Sequence, residues 1–295
     1  MQGSHPPERQ PEVDGLISSR RNPLVQRLRE LHSAKGRRSL NLLLLEGTHL
    51  AQESLRLGLA PVDLVATPRW LEHNVALRQG LLALIGPAGR VIPATEMVLA
   101  AMATTEHPDG VVMTLHPPRP KSPSELGFGL VLDGVQDPGN LGTLLRTALA
   151  AGIEQVWQCG GADPLQPKVL RASAGAALAL PPLRQDPAEL QGQLQLARSR
   201  GMQLVASVPP GAHQAGRAAA KPYWELDWCR PTLLLLGSEG AGLSPALLEH
   251  ATDWVTVPHS PAVESLNVAV AAAPLLLERL RQQVRMPPSD ATTAP

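Results

Sequence analysis

Apolar positions gather in short blocks along the chain. In the first part, runs at residues 42–45, 63–66, 90–92 and 110–115 have the length and apolar content of buried strands. Helical spacing fills the intervals: a helix that closes on Gly58, one over 70–85 and a short one over 94–101. Further on, strands are expected at 129–135, 155–159, 203–207, 233–236 and 254–257. Helices are expected from Asn140 to Gly152, through PKVLRASAGAALAL and over 188–198. Strands alternating with helices predict an α/β fold.

The densest chemistry lies in residues 233–267, LLLLGSEGAGLSPALLEHATDWVTVPHSPAVESLN. An apolar strand turns on Gly237, Gly240 and Gly242, with Glu239 between them. Ser244 and Pro245 then carry a helix-start signal. A second strand stops at Pro258, and a polar turn delivers Glu264, Ser265 and Asn267 to the head of a long apolar helix. That helix is expected to fade after Glu278 into a polar tail. Ligands of open α/β sheets bind at the carboxyl ends of the strands, so these two loops mark a site built from backbone.

Residues 1–15 and 285–295 read as disordered tails, 16–115 as a first domain, and 129–284 as a second. Between them, residues 116–128 hold four prolines in HPPRPKSPSELG and read as a linker.

The net charge is zero, but it is unevenly spread. Arg20, Arg21, Arg27, Arg29, Lys35, Arg37 and Arg38 face a single acid, Glu30, within residues 16–40. Leu24, Leu28 and Leu31 keep helical spacing there, so a basic amphipathic helix running into a basic loop is expected. A solvated face would explain the charge, but its segregation favours phosphate-backbone binding by Arg20, Arg21, Arg27, Lys35, Arg37 and Arg38. Aromatics make up only 2% of the chain, which argues against base stacking as the main nucleic-acid contact. Cys159 and Cys229 lack metal-type spacing and read as reduced core residues. His49, His73 and His107 lack mutual spacing, and Asp133 and Asp137 lack a further carboxylate, so no metal is expected. With neither a membrane-length apolar run nor a signal-peptide core, a cytoplasmic protein is expected.

Gly134, Gly139 and Gly142 follow a strand but miss the dinucleotide-binding spacing. In the next helix, Arg146 stands among Leu141, Leu144, Leu145, Ala148 and Leu149. An arginine inside such a helix needs a partner. Lys168 and Arg171 mark the entry of a later helix.

Three segments in order, LDGVQDPGNLGTLLRTALAAG, LLLLGSEGAGLS and VPHSPAVESLNVAVA, resemble the SpoU (TrmH-type) family of RNA ribose 2′-O-methyltransferases, within the SPOUT superfamily. ASAGAALALP also fits, and the residues before the linker look like the family's ribosomal-protein-like substrate-binding domain. His259 stands where the family usually has methionine, and Pro261 or Ala262 where it has glycine. The resemblance implies an α/β domain tied in a trefoil knot that binds S-adenosylmethionine, preceded by a small α/β substrate-binding domain. It implies catalytic roles for Asn140, Arg146, Glu239, Ser265 and Asn267. Leu236, Gly237, Gly242, Val257, Pro258 and Leu266 would hold the cofactor. A homodimer packed through the second domain is implied as well. The family assigns Arg146 to activating the hydroxyl, but a guanidinium stays protonated in proteins. Orienting a phosphate and stabilising alkoxide charge is the role its chemistry allows.

The leading expectation is therefore methylation of a ribose 2′-hydroxyl in 23S ribosomal RNA. A tRNA ribose methyltransferase is the nearest alternative, and an RNA-binding protein with a lapsed catalytic centre a second. A nicotinamide-dependent enzyme is a more distant one, opposed by the missing fingerprint.

Overall fold

The structure, a computed structural model, describes residues 15–85, 89–120, 123–212 and 219–285. The tails expected at 1–15 and 285–295 lie outside these residues, apart from Gly15 and Arg285. The chain forms two compact units. One contains residues up to Pro118 together with Leu165–Leu178; the other contains Arg119–Pro164 and the chain from Ala179 onward.

The first unit starts where the Asn22 side chain accepts the Leu24 backbone N–H at 2.9 Å, capping α1 (Pro23–Glu30) with proline at its first position. Leu24, Val25 and Leu28 face inward. Ser33 accepts from Gly36 and opens α2 (Ala34–Leu40), so the expected basic loop is a second helix. Then come β1 (Leu43–Glu46), α3 (Thr48–Arg56), β2 (Asp63–Ala66), α4 (Pro68–His73), α5 (Val75–Leu84), β3 (Arg90–Pro93), α6 (Glu96–Met102) and β4 (Val111–Leu115). The single helix expected over 70–85 is broken at Asn74, whose side chain donates to the Trp70 carbonyl at 3.0 Å and diverts the ladder. The sheet order is β1-β4-β2-β3, with β4 antiparallel to both neighbours and β2 parallel to β3. Leu44, Val65, Ile92 and Val112 pack beneath the inward residues of α1 and α6.

Two buried carboxylates sit at opposite ends of this sheet. Asp63 opens β2. Glu46 closes β1 and accepts the backbone N–H groups of Thr104 and Thr105, both their hydroxyls, and Nη1 of Arg171 at 2.9 Å. Gly175, at φ +82°, lies so close to α3 that a Cβ there would stand 2.9 Å from that of Glu53.

After this unit's strands the chain runs through β5 (Phe128–Asp133), α7 (Pro138–Ala150), β6 (Gln155–Cys159), α8 (Pro167–Ala172), α9 (Ala176–Ala179), β7 (Leu183–Gln185), α10 (Pro187–Ser199), β8 (Gln203–Ser207), β9 (Lys221–Pro222), β10 (Thr232–Leu236), α11 (Pro245–His250), β11 (Asp253–Thr256) and α12 (Val268–Arg285). The second unit's sheet has the order β7-β6-β5-β10-β8-β11-β9, and every pairing in it is parallel. Helix-covered parallel strands are buried on both faces, which is why β10 reads as unbroken leucine after Thr232. Strands β7 and β9 were not anticipated, because edge strands of two or three mixed residues leave no apolar run. The strand expected to reach residue 135 ends at Asp133, where Gly134 takes φ +72°. Helix α12 does not fade at Glu278 but runs to Arg285, carried by good helix formers in its arginines, glutamines and leucines.

Candidate active site

Three loops at carboxyl strand ends build the site. The first follows β5. Its Asp137 accepts the Asn140 backbone N–H at 2.8 Å and caps α7, with Pro138 at the first helical position. Asn140 is thus the third residue of the helix rather than the first, two positions further in than expected.

The second loop follows β10. Ser238 and Gly242 exchange backbone hydrogen bonds of 3.0 Å, folding the turn back on itself. Gly237 lies where this turn closes: a Cβ would come within 2.0 Å of the Gly242 carbonyl carbon and 2.1 Å of the Leu243 nitrogen. The turn aims Glu239 at the head of α7, where its carboxylate accepts Asn140 Nδ2 at 2.9 Å and the backbone N–H groups of Gln136 and Asp137 at 3.2 and 3.3 Å. Partial burial pushes this carboxyl up. Hydrogen bonds from Asn140, its own backbone, Gln136 and Asp137 outweigh that effect, so its pKa falls below the ordinary value. Asp133 accepts the Ser244 N–H at 2.8 Å and fixes the far side of the same loop. Both aspartates first considered as metal ligands therefore serve as backbone anchors.

The third loop follows β11 and ends at Asn267. Its Oδ1 accepts from Ala269 and Val270, capping α12, and its Nδ2 donates to Asn140 Oδ1 at 2.9 Å. Asn140 is therefore held at both ends of its amide, by Glu239 on one side and Asn267 on the other.

Beside this chain of hydrogen bonds lies a cavity of about 560 Å³, within the roughly 300–1,000 Å³ range of small-molecule sites. Leu236, Gly237, Gly242, Val257 and Leu266 line it, together with Glu239 and Ser265. Pro258 is not part of the lining. Residues 207–212, at the end of β8, add walls that sequence reasoning missed; His259, at the position where the family usually has methionine, adds another, its Nδ1 paired with the Val257 carbonyl at 2.8 Å. The signal for the former was a strand ending in Val208-Pro209-Pro210-Gly211. Thr256, another unforeseen wall, carries a buried hydroxyl with no hydrogen-bond partner among the described residues. An unpaired buried polar atom in a cavity is a vacant contact for a polar ligand. Around it stand backbone edges and small or apolar side chains. A Cβ at Gly240 would meet open space.

Arg146 differs from expectation. It is not buried among the leucines of α7 but exposed on the opposite face, with no hydrogen bond or ion pair among the described residues. The apolar neighbours seen in sequence occupy the inward stripe of the helix, and positions 143, 146 and 150 the outward one.

Among the basic residues of the first unit, Arg20, Arg21, Lys35 and Arg38 are exposed and Arg27 half-exposed. Arg37 is a correction. It is buried, and its guanidinium donates to the Leu31 and His32 carbonyls at 2.8 and 3.1 Å, closing the end of α1.

A parallel α/β unit with a cavity at its strand ends, in one chain with a smaller α/β unit, has counterparts among known proteins. The SpoU rRNA Methylase family matches residues 127–277, and the MRM3-like substrate binding domain matches residues 22–113. An uncharacterized tRNA/rRNA methyltransferase of Synechocystis is 44% identical over 270 residues, 90% of this chain and 94% of that one. The 23S rRNA (guanosine(2553)-2′-O)-methyltransferase RlmP of Bacillus subtilis is 33% identical over 267 residues, 90% and 98% of the two chains. The crystal structure of an AdoMet-bound rRNA methyltransferase from Sinorhizobium meliloti superposes with a TM-score of 0.76 at 30% identity, covering 91% of this chain and 98% of that one. This protein belongs to the SpoU rRNA methylase family.

Proposed function

We propose that the protein transfers a methyl group from S-adenosylmethionine to a ribose 2′-hydroxyl of large-subunit ribosomal RNA. The observation that carries this is the Glu239–Asn140–Asn267 relay, which joins three loops far apart in sequence beside a cavity with an unsatisfied threonine hydroxyl. RlmP, a 23S rRNA 2′-O-methyltransferase that matches over nearly its whole length, supports the substrate class.

When bound, the cofactor supplies a methyl group already activated on a sulfonium, so the protein's task is positioning. Backbone at Leu236, Gly237, Gly242, Val257 and Leu266 grips it, and Thr256 Oγ1 gains the partner it lacks. Gly237 and Gly242 let backbone approach closely. The relay fixes Asn140 and Ser265's loop around the ribose. Arg146, exposed and uncommitted, takes an RNA phosphate in its planar fork and stabilises charge building on the 2′-oxygen. As the new O–CH₃ bond forms and the sulfonium C–S bond breaks, the hydroxyl proton passes to a phosphate or water, because a guanidinium is not a base.

The finer architecture belongs to the same proposal. The sheet order places β11 beyond β8, while Asn267 returns to the head of α7; this return supports a trefoil knot around the site. Val270, Leu277, Leu280 and Val284 leave one stripe of α12 exposed at positions i, i+7, i+10 and i+14, as a homodimer seam would require. Arg20, Arg21, Arg27, Lys35 and Arg38 form the RNA surface, without Arg37. Among the described residues no helix is long and apolar enough to cross a membrane, and a ribosomal RNA substrate supports a cytoplasmic location.

The decisive experiment is transfer of labelled methyl from S-adenosylmethionine into total RNA of a strain lacking this gene, with mapping of the modified nucleotide. Label in one large-subunit RNA loop is expected. Label in tRNA would favour the tRNA alternative, and cofactor binding with no label in any RNA would favour a lapsed enzyme.

A further inference from the structure

At the amino end of β2, the Asp63 side chain is fully buried. One of its oxygens accepts Nε and Nη2 of Arg90 at 3.1 and 2.6 Å, and the other accepts the Thr114 hydroxyl at 3.0 Å. One guanidinium and one hydroxyl already compensate a single carboxylate. Yet a second guanidinium, that of Arg27, stands 3.9 Å from the oxygen that Thr114 holds. The side chains of Arg27 and Arg90 are 40% and 43% exposed. Two cations thus lie at the surface over one anion beneath them, a surplus of one positive charge, with the Arg90 fork fixed by its two hydrogen bonds. A guanidinium carries five N–H donors, and the Asp63 contact uses two of those on Arg90.

His116, two residues beyond Thr114 at the same end of the sheet, pairs through Nδ1 with the Asn41 carbonyl at 2.9 Å. The opposite end carries a separate cavity of about 590 Å³ bordered by Glu96, Glu106 and Asp109.

The geometry points to Arg27 and Arg90, braced from below by Asp63, as a phosphodiester-binding subsite for the RNA backbone. Arg90 is the new member: it lies far in sequence from the basic segment and showed no pattern there. This inference rests on the protein's being an RNA methyltransferase. The buried aspartate removes part of the ordering cost that the long Arg90 side chain would otherwise meet on binding. Planar forks match phosphate oxygens two at a time.

The test uses the full-length protein and in vitro transcribed large-subunit ribosomal RNA, with the dissociation constant measured across a salt series. Arg27→Ala leaves Asp63 paired with Arg90 and Thr114, so the fold is retained. It should weaken binding roughly fivefold and flatten the plot of log affinity against log salt by about 0.7–0.9. Arg90→Lys keeps a charge over Asp63 but loses the fork, and should weaken binding by a smaller factor. In both variants KM for RNA should rise with Kd while kcat at saturating RNA is unchanged. Arg56→Ala, at the end of α3 beside Glu53, is the control and should bind as the parent does. If Arg27→Ala and Arg90→Lys bind with unchanged affinity, or if Arg27→Ala loses affinity with no change in slope, the pair is a structural brace only. If the parent protein binds no RNA, the underlying reading fails first.

Discussion

The side-chain amide of Asn267 reaches Asn140 across 127 positions of sequence, at 2.9 Å, and Asn140 passes the connection on to Glu239. An amide donates at one end and accepts at the other, so no isosteric neutral or charged residue can satisfy both partners. Asn140→Asp sets a second carboxylate against Glu239; Asn140→Ala leaves both neighbours unpaired. Each is expected to lower methyl transfer by about 100-fold, with a stability cost of about 1 kcal/mol for the alanine variant because the site is solvent-accessible. Steady-state kinetics and urea unfolding on the same preparations check this.

Arg146 makes no contact that holds the fold, so Arg146→Ala should change stability by less than about 0.5 kcal/mol. Turnover should fall by roughly two to three orders of magnitude while cofactor affinity stays near the parent value. Arg146→Lys should remain strongly impaired. Near-normal turnover in the lysine variant, measured with labelled cofactor, would remove the bidentate role.

Thr256 offers a test in which two readouts move in opposite directions. Its unpaired buried hydroxyl is a liability in the free protein, so Thr256→Val should leave stability unchanged or raise it by up to about 1 kcal/mol. Calorimetric affinity for S-adenosylmethionine should drop about tenfold if the hydroxyl contacts the cofactor.

Gly237 and Gly240 lie three residues apart in one turn but should respond differently to alanine. At Gly237 the added carbon meets backbone on the facing strand of the turn, and a loss of about 3 kcal/mol or more is expected. At Gly240 it meets open space, so chemical denaturation should show little change and cofactor binding becomes the informative readout.

The Glu239 carboxyl, held below its ordinary 4.5 in the folded protein, favours folding above its unfolded pKa. That contribution is lost as the pH falls from about 4.5 through the lower folded value. Melting temperature should therefore decline more steeply with acid in the parent than in Glu239→Gln over that window. Parallel curves would show that the hydrogen bonds contribute nothing to the balance.

The central strands were legible because strands buried on both faces must be apolar throughout, and β6 and β8 were placed to the residue. Loop glycines and the Asn140, Glu239 and Asn267 trio also stood out, since strand ends followed by turn residues have few other uses. Edge strands β7 and β9 stayed hidden, because pairing on one side demands no composition. The direction of Arg146 was misjudged for a different reason: leucines around it in sequence belong to the inward face only, and one residue of rotation separates core from solvent. Arg37 shows the reverse error. A charge run read as surface contained one arginine whose donors were needed by the chain's own carbonyls, and nothing in a run of like residues marks which one turns inward. Asp63 with Arg27 and Arg90 was invisible because its members come from three elements.

Glu46 and Arg171 are separated by 125 positions, yet they meet inside the first unit, to which Leu165–Leu178 belongs. On a ribosome the chain emerges in order, so the strands of this unit are complete long before its last segment exists. Until residue 178 has left the exit tunnel, the nascent unit must hold a buried carboxylate with threonine donors alone and leave the face of α3 near Glu53 uncovered. A fragment ending at the linker would lack the arginine partner of Glu46 and the cover that Gly175 gives α3. Synthesis of the second unit has to begin before the first can close.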